Sequence, residues 1–201
     1  MDGAAFLELV KRRRMVRNYR DQRVDPRVVE RILDAARRAP SAGFSQGVSF
    51  VVVTSEEGRT AIAGLADEPG YVAAGFDPWI SRAPVHVVVC VSEEVYRARY
   101  REPDKSADGT ESEWPVPYWW VDAGAAMMLV LLGAVAEGLA AGFLGTHAMD
   151  TLAELLGLPP DVEPVGVITI GHPASDRVSG SLARGRRSFD DVVHRERWLD
   201  V

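Results

Sequence analysis

Apolar side chains along this chain fall into two rhythms. Runs dense in β-branched residues predict strands at about 49–54, 84–91, 142–146 and 164–171, the second opened by Pro84 and the last reading PVGVITIG. Helical spacing over VVERILDAA predicts a helix at about 26–38, which Asp25 caps and Pro26 opens, because a first-turn proline has no hydrogen bond to lose. Further helices are expected at about 4–14, 56–66, 118–140 and 149–156, the last ended by Gly157, with one more helical turn near 189–195. The imperfect alternation points to a sheet of four or five strands wrapped by helices. Two stretches, 68–82 and 101–117, are rich in Gly, Pro and acids with isolated aromatics, and read as long loops. No repeat and no linker divides the chain, so one domain over 1–201 is expected.

Composition narrows the function classes. A net charge of −6 argues against a nucleic acid or an anionic membrane as partner, since both are met by basic surfaces. The apolar run Ala123 to Ala136 is shorter than the ~20 residues a membrane span needs and is flanked by Asp122 and Glu137. A helix apolar on every side is expected in a core or a subunit interface. The lone cysteine, Cys90, sits inside VHVVVCV, which excludes a disulfide framework within one chain and fits a reducing compartment. The N-terminus places acids first and its basic run last, the reverse of a secretory signal, so a cytoplasmic location is expected.

No dinucleotide glycine motif, phosphate-binding loop, nucleophile elbow, HExxH or CxxC is present. The four histidines are scattered; His86 reads as a strand residue and His194 as part of the tail, satisfied or solvated rather than catalytic.

Three separated stretches hold the remaining chemistry. KRRRMVRNYR (11–20) and SLARGRRSF (181–189) are arginine clusters in an acidic chain. Each alone reads as a solvated helix end or tail; together in space they would hold one phosphate, which the arginine fork grips in a bidentate way. APSAGFSQGV (39–48) offers the hydroxyls of Ser41 and Ser45, the amide of Gln46, and two glycines that let backbone approach a ligand. It is either a loose turn after a helix stop or a backbone cradle for something flat and polar. A phosphate site and such a cradle together describe a mononucleotide cofactor such as a flavin.

On these residues the chain resembles the FMN-dependent nitroreductase family over nearly its whole length. Arg13-Arg14-Met15-Val16-Arg17-Asn18-Tyr19 is similar to the family's opening arginine motif, and Ala39 to Val48 is similar in part to its A-P-S-x-x-N-x-Q-P-W signature. Gly142-Phe143-Leu144-Gly145-Thr146, LLGLPPDVEPVGVITIGHP, Arg184-Gly185-Arg186 and VVHRERW follow in the family's order.

The resemblance implies an α+β, nitroreductase-like fold: a central, mostly antiparallel sheet of four to five strands wrapped by helices, with a long buried helix at the interface of a homodimer. It implies FMN as cofactor and NAD(P)H as reductant. Arg13, Arg14 and Arg17 would serve the phosphate and ribityl chain, with Met15 among them and Arg184 and Arg186 closing the phosphate site. Pro40, Ser41, Ala42, Phe44 and Gln46 would line the cofactor from a segment belonging partly to the other subunit, and backbone at Leu144 and Gly145 would face the reactive side of the ring. Met15 stands where the family has serine, Phe44 where it has asparagine, and Gly47-Val48 where it has Pro-Trp, so at least two side-chain hydrogen bonds to the flavin are missing.

The implied activity is hydride transfer from NAD(P)H by way of the flavin to a small electron-poor acceptor: a nitroaromatic, a quinone or an activated alkene. A catalytic triad is not expected, because the cofactor does the redox step. The resemblance also leaves open a flavin-fragmenting or dehalogenating enzyme, suggested by FDPWISRAPV, a protein that only sequesters flavin, and a deazaflavin as donor. For the acceptor, Trp114, Tyr118 and Trp119 within a loop taken as 93–120 are the expected substrate pocket and lid, while Trp120 is expected to begin the buried helix; the loop at 68–82, with Tyr71, Phe76 and Trp79, is the next candidate.

Overall fold

Four antiparallel strands carry the molecule: β1 (Val48–Val53), β2 (Val85–Val91), β3 (Ala140–Gly145) and β4 (Glu163–Gly171), in the order β1-β2-β4-β3. This is a computed structural model, and it describes residues 2–110, 113–177 and 179–198. The valine-rich β2 matches its central place, every residue being buried, whereas β1 at the sheet edge exposes Ser49 and Val52. Val85, Val87, Val89 and Val91 face one helical layer, and Val88 and Cys90 the other.

The first layer is α2 (Pro26–Ala36) against α7 (Tyr118–Ala136). Asp25 caps α2 by accepting the Arg27 N–H at 2.9 Å, and Val29, Ile32 and Ala36 bury one stripe. The helix expected over 118–140 ends earlier, at a Schellman motif: Gly138 takes φ +74°, its N–H reaches the Val135 carbonyl at 3.1 Å, and the Leu139 N–H reaches that of Ala134 at 2.8 Å. The chain then turns directly into β3. Nor is α7 buried all round. One face, Trp119, Ala123, Ala126, Val130 and Ala134, packs inward, while Val121 and Met128 point outward, as does Trp120, which was expected to be covered. By length and composition α7 is the one helix, among the described residues, apolar enough to cross a membrane. Here it packs between α2 and the sheet.

The second layer holds α3 (Glu56–Leu65), α4 (Glu68–Ala73), α5 (Trp79–Arg82) and α8 (Leu152–Leu155). The 68–82 stretch is therefore two short helices rather than a loop, joined by the buried Glu68 carboxylate, which accepts the Ile80 and Ser81 N–H groups at 2.6 and 3.0 Å. Likewise 93–120 is not one long loop. Residues Glu93–Tyr100 form α6, capped by Ser92, and they sink Tyr96 into the core.

Two segments are left largely uncovered by the described residues, although Arg12 at the end of the first reaches the Val135 carbonyl. The amphipathic helix α1 (Gly3–Arg12) buries none of its residues and turns Phe6, Leu7 and Val10 to solvent. Residues 179–198 bury none either, with Leu182, Phe189 and Trp198 exposed. They form a 3-10 turn at Gly180–Arg184 and a tight turn after Phe189, where a turn of α-helix was expected.

Candidate functional site

The segment between α2 and β1 is a rigid cradle, not a loose turn. Past Pro40, the Ser41 hydroxyl accepts the Gln46 N–H at 3.0 Å, and the Ser45 hydroxyl donates to the Ala42 carbonyl at 2.6 Å. From outside, Asp122 of α7 accepts the Ala42 N–H at 2.8 Å, and Arg99 of α6 donates through Nε to the Gly43 carbonyl at 3.0 Å. Arg99 is itself gripped by Asp104 at 2.7 Å and Glu102 at 3.0 Å. These clamps hold Gly43, Phe44 and Gln46 at φ values of +60, +58 and +57°. Only glycine serves at position 43, where a Cβ would stand 2.6 Å from the Tyr100 ring. For Phe44 and Gln46 the left-handed conformation costs on the order of 1–2 kcal/mol each. Phe44 regains nothing by burial, being 74% exposed. Strain held in place by surrounding contacts is a mark of a binding site.

The arginine segment lies on the opposite sheet edge. Met15 bridges to Ala141 of β3, and the Val16 N–H reaches the Ala141 carbonyl at 3.0 Å. Gly142 makes this approach possible, since a Cβ there would sit 2.6 Å from the Val16 carbonyl oxygen. The Asn18 amide donates to Asp77 at 3.0 Å and to the Ser175 carbonyl at 2.8 Å, and Arg82 donates to Asn18 at 2.8 Å. The Arg17 guanidinium rests 5.9 Å over Trp79. Beneath, the buried Tyr19 hydroxyl meets Thr169 Oγ1 at 2.8 Å, and burial pushes its phenol well above the usual range. Arg13, Arg14 and Arg17 make no ion pair among the described residues, so three guanidinium groups stand ready for an anion. That donor set fits the phosphate of a mononucleotide. Met15 adds no side-chain donor to it.

The two ends of the chain do not meet as expected. Arg184 and Arg186 lie in the exposed tail and, among the described residues, make no side-chain hydrogen bond or ion pair. The tail departs after Asp176, whose carboxylate accepts the Arg17 N–H at 3.0 Å, and none of its described residues is buried. The cradle and Leu144-Gly145 are also apart. Strand β1 begins at the end of the sheet where β3 stops, but the order β1-β2-β4-β3 puts them three strand spacings, about 14 Å, from each other. Leu144 is buried, leaving backbone as what that edge presents.

Against the cradle lies a cavity of about 400 Å³ lined by Ala42, Tyr100, Trp114, Pro115, Val116 and Tyr118, with Glu113 as its charged residue. Trp114 is no free lid. Its ring packs 4.6 Å from that of Tyr100 and 6.2 Å from Tyr118. Trp119, expected in the pocket, is buried behind it, 5.7 Å from Trp114. A smaller hollow of about 150 Å³ runs under Pro40, Ser41 and Gln46. A larger one, about 780 Å³, is lined by four carboxylates and three guanidiniums among other residues, and shares no residue with the cradle or the arginine segment.

Sequence reasoning missed the residues that hold the site: Asp122, Arg99, Asn18 and Asp77. A signal existed for Asp122, since a carboxylate within an otherwise apolar helix must find a partner when buried.

Comparison with known proteins fits this layout. Residues 10–172 match the model of the nitroreductase family. An FMN reductase [NAD(P)H] of Bacillus subtilis is 32% identical over 93% of this chain and 72% of its own length. An NADPH-dependent oxidoreductase of Staphylococcus aureus is 25% identical over 94% of this chain and 72% of its own. The solved structure of a hypothetical oxidoreductase, YcnD, of Bacillus subtilis superposes with a TM-score of 0.74 at 28% identity, covering 96% of this chain and 74% of that one.

Proposed function

The chain belongs to the nitroreductase family, and from that premise we propose that it is a homodimeric, FMN-dependent NAD(P)H oxidoreductase whose cofactor site is shared between two subunits, each a single domain over 1–201. The observation that carries this reading is the separation of two incomplete half-sites. The arginine segment and the strained cradle sit on opposite sheet edges of one chain, while α1, the outer face of α7 and the tail all await cover. A second copy supplies the missing half of each site and buries those surfaces.

In the proposed site Arg13, Arg14 and Arg17 hold the phosphate, joined by Arg184 and Arg186 once the tail is seated. The partner's cradle, fixed by Asp122 and Arg99, brings the Ser41 and Gln46 groups and the exposed Phe44 ring to the cofactor, and Phe44 excludes water where the family has an amide. Backbone at Leu144 and Gly145 would help to line the cofactor. When bound, FMN supplies two-electron transfer between NAD(P)H and an electron-poor organic acceptor. Residues at the 400 Å³ cavity, Trp114 and Tyr118, receive the acceptor. The segment that suggested the fragmenting branch instead uses Asp77, Trp79 and Arg82 to hold residues 17 and 18. Burial pushes the Cys90 thiol up to about 11, an inert cysteine suited to the cytoplasm.

The test is an absorbance spectrum of the purified protein followed by anaerobic NAD(P)H. A yellow protein bleached by NAD(P)H and restored by an acceptor supports the proposal. A yellow protein that stays yellow is a flavin carrier, and a colourless protein that cannot be reconstituted overturns the cofactor assignment.

A further inference from the structure

The cavity beside the cradle has a chemistry of its own. Its walls are the rings of Tyr100, Trp114 and Tyr118 with Pro115 and Val116, and its one charged lining residue is Glu113. No arginine or lysine lines it, so an anion finds no partner there. A flat cation finds ring faces and a carboxylate, and aromatic faces attract cations through their quadrupole.

The same cluster already draws cations from the chain itself. The Lys105 ammonium lies 5.6 Å over the Tyr100 ring, and the Arg97 guanidinium 5.7 Å over Trp119, which packs against Trp114. The surrounding field has the same sign. The described residues of 101–117 hold four acids, Glu102, Asp104, Asp108 and Glu113, against Arg101 and Lys105. Hydrogen bonds, chiefly from Thr110, keep the Asp108 carboxyl down at about 2, so it is ionised throughout the physiological range. Arg99, beside the cradle, is committed to Asp104, Glu102 and the Gly43 carbonyl. The arginine-rich segment of the chain lies on the far sheet edge.

We propose that this cavity is a binding site for small aromatic cations, with Glu113 as the residue that sets its charge preference. Resting on the flavin-site reading above, it becomes an acceptor subsite: the enzyme reduces electron-poor rings that carry a permanent positive charge, such as a quaternary ammonium nitroarene, in preference to their carboxylate counterparts.

Two unreactive probes of matched size, benzyltrimethylammonium and phenylacetate, are titrated into the full-length protein and followed by tryptophan fluorescence and calorimetry. The cation is expected to bind roughly threefold to thirtyfold more tightly, the range an aromatic cation contact covers. Glu113→Gln narrows that preference, Glu113→Lys reverses it, and Tyr100→Leu weakens the cation alone. Equal affinities in the wild type, or a preference unmoved by Glu113→Lys, overturn the proposal. Flavin content and NAD(P)H reduction are recorded on the same samples. A charge preference in a colourless, unreduced protein supports the cavity while sinking the oxidoreductase reading; a flavin-loaded, active protein without the preference does the opposite.

Discussion

The buried carboxylate of Asp122 accepts the backbone N–H of Ala42 at 2.8 Å, tying the long helix to the cradle that follows α2. This one contact couples the core to the half-site. Replacing Asp122 with Ala leaves a buried N–H without its acceptor, which costs about 1–3 kcal/mol. Chemical denaturation should show that loss and flavin titration a weaker affinity, both partly restored by Asp122→Asn. A variant as stable as wild type would mean the cradle is held by its other contacts.

Phe44 should trade stability against binding. Its φ of +58° is disfavoured for a bulky side chain, and its ring is 74% exposed. Asparagine visits this conformation readily, so Phe44→Asn should stabilise the flavin-free protein by about 1 kcal/mol. The same change should alter flavin affinity. Thermal melts of the apoprotein check the first claim, and a fall in melting temperature contradicts it.

How much of this was legible in sequence depended on how strongly each stretch is patterned. The valine runs of β1 and β2 and the cap at Asp25-Pro26 announced themselves, because burial on a sheet and first-turn proline chemistry are local signals. Helix α6, Glu-Glu-Val-Tyr-Arg-Ala-Arg-Tyr, did not, since its apolar residues are few and its order comes from Tyr96 docking in the core and Arg99 bonding outward. The 68–82 stretch hid α4 and α5 because Glu68 stabilises them from twelve residues away, an interaction no window reports. The end of α7 was overrun because AEGLAAGFLG turns apolar again at once after Glu137, with Glu137 and Gly138 marking the change from helix to strand. For the site, arginines and cradle were found as residue types. Their separation across the sheet is a property of strand order and was not.

Stability should fall in mildly acidic solution. His86 is wholly buried, donates through Nε2 to the Ile80 carbonyl at 2.8 Å, and burial lowers its pKa to about 4. The unfolded chain takes up a proton near pH 6.5 and the folded chain does not until about 4. Stability is therefore complete above pH 6.5 and is lost as pH falls from there toward 4, by up to ~3 kcal/mol from this residue. Denaturation at pH 7 and pH 4.5 measures the slope, which His86→Gln should flatten.

Dimer and flavin should be lost together. Met128 lies on the outward face of α7, and obligate interfaces bury on the order of 2,000 Å² of largely apolar surface. Met128→Asp puts a charge into that contact. Light scattering should then report monomers and the spectrum should lose its flavin bands. A flavin-loaded monomer would contradict the shared site.

The central claim, that each cofactor site takes its arginines from one chain and its cradle from the other, is tested most directly by a mixed dimer. One chain carries Arg13→Ala, removing a charge-assisted contact whose loss weakens FMN binding roughly tenfold or more. The other carries Ser41→Ala with Gln46→Ala. Each variant homodimer should bind FMN weakly at both sites. In the mixed dimer, a shared site leaves one position with intact arginines and an intact cradle, so calorimetric titration should find one FMN bound with wild-type affinity per dimer. If no wild-type-affinity site appears, each chain builds its site from its own arginines and its own cradle, so that each site carries one lesion, and the shared-site account is wrong.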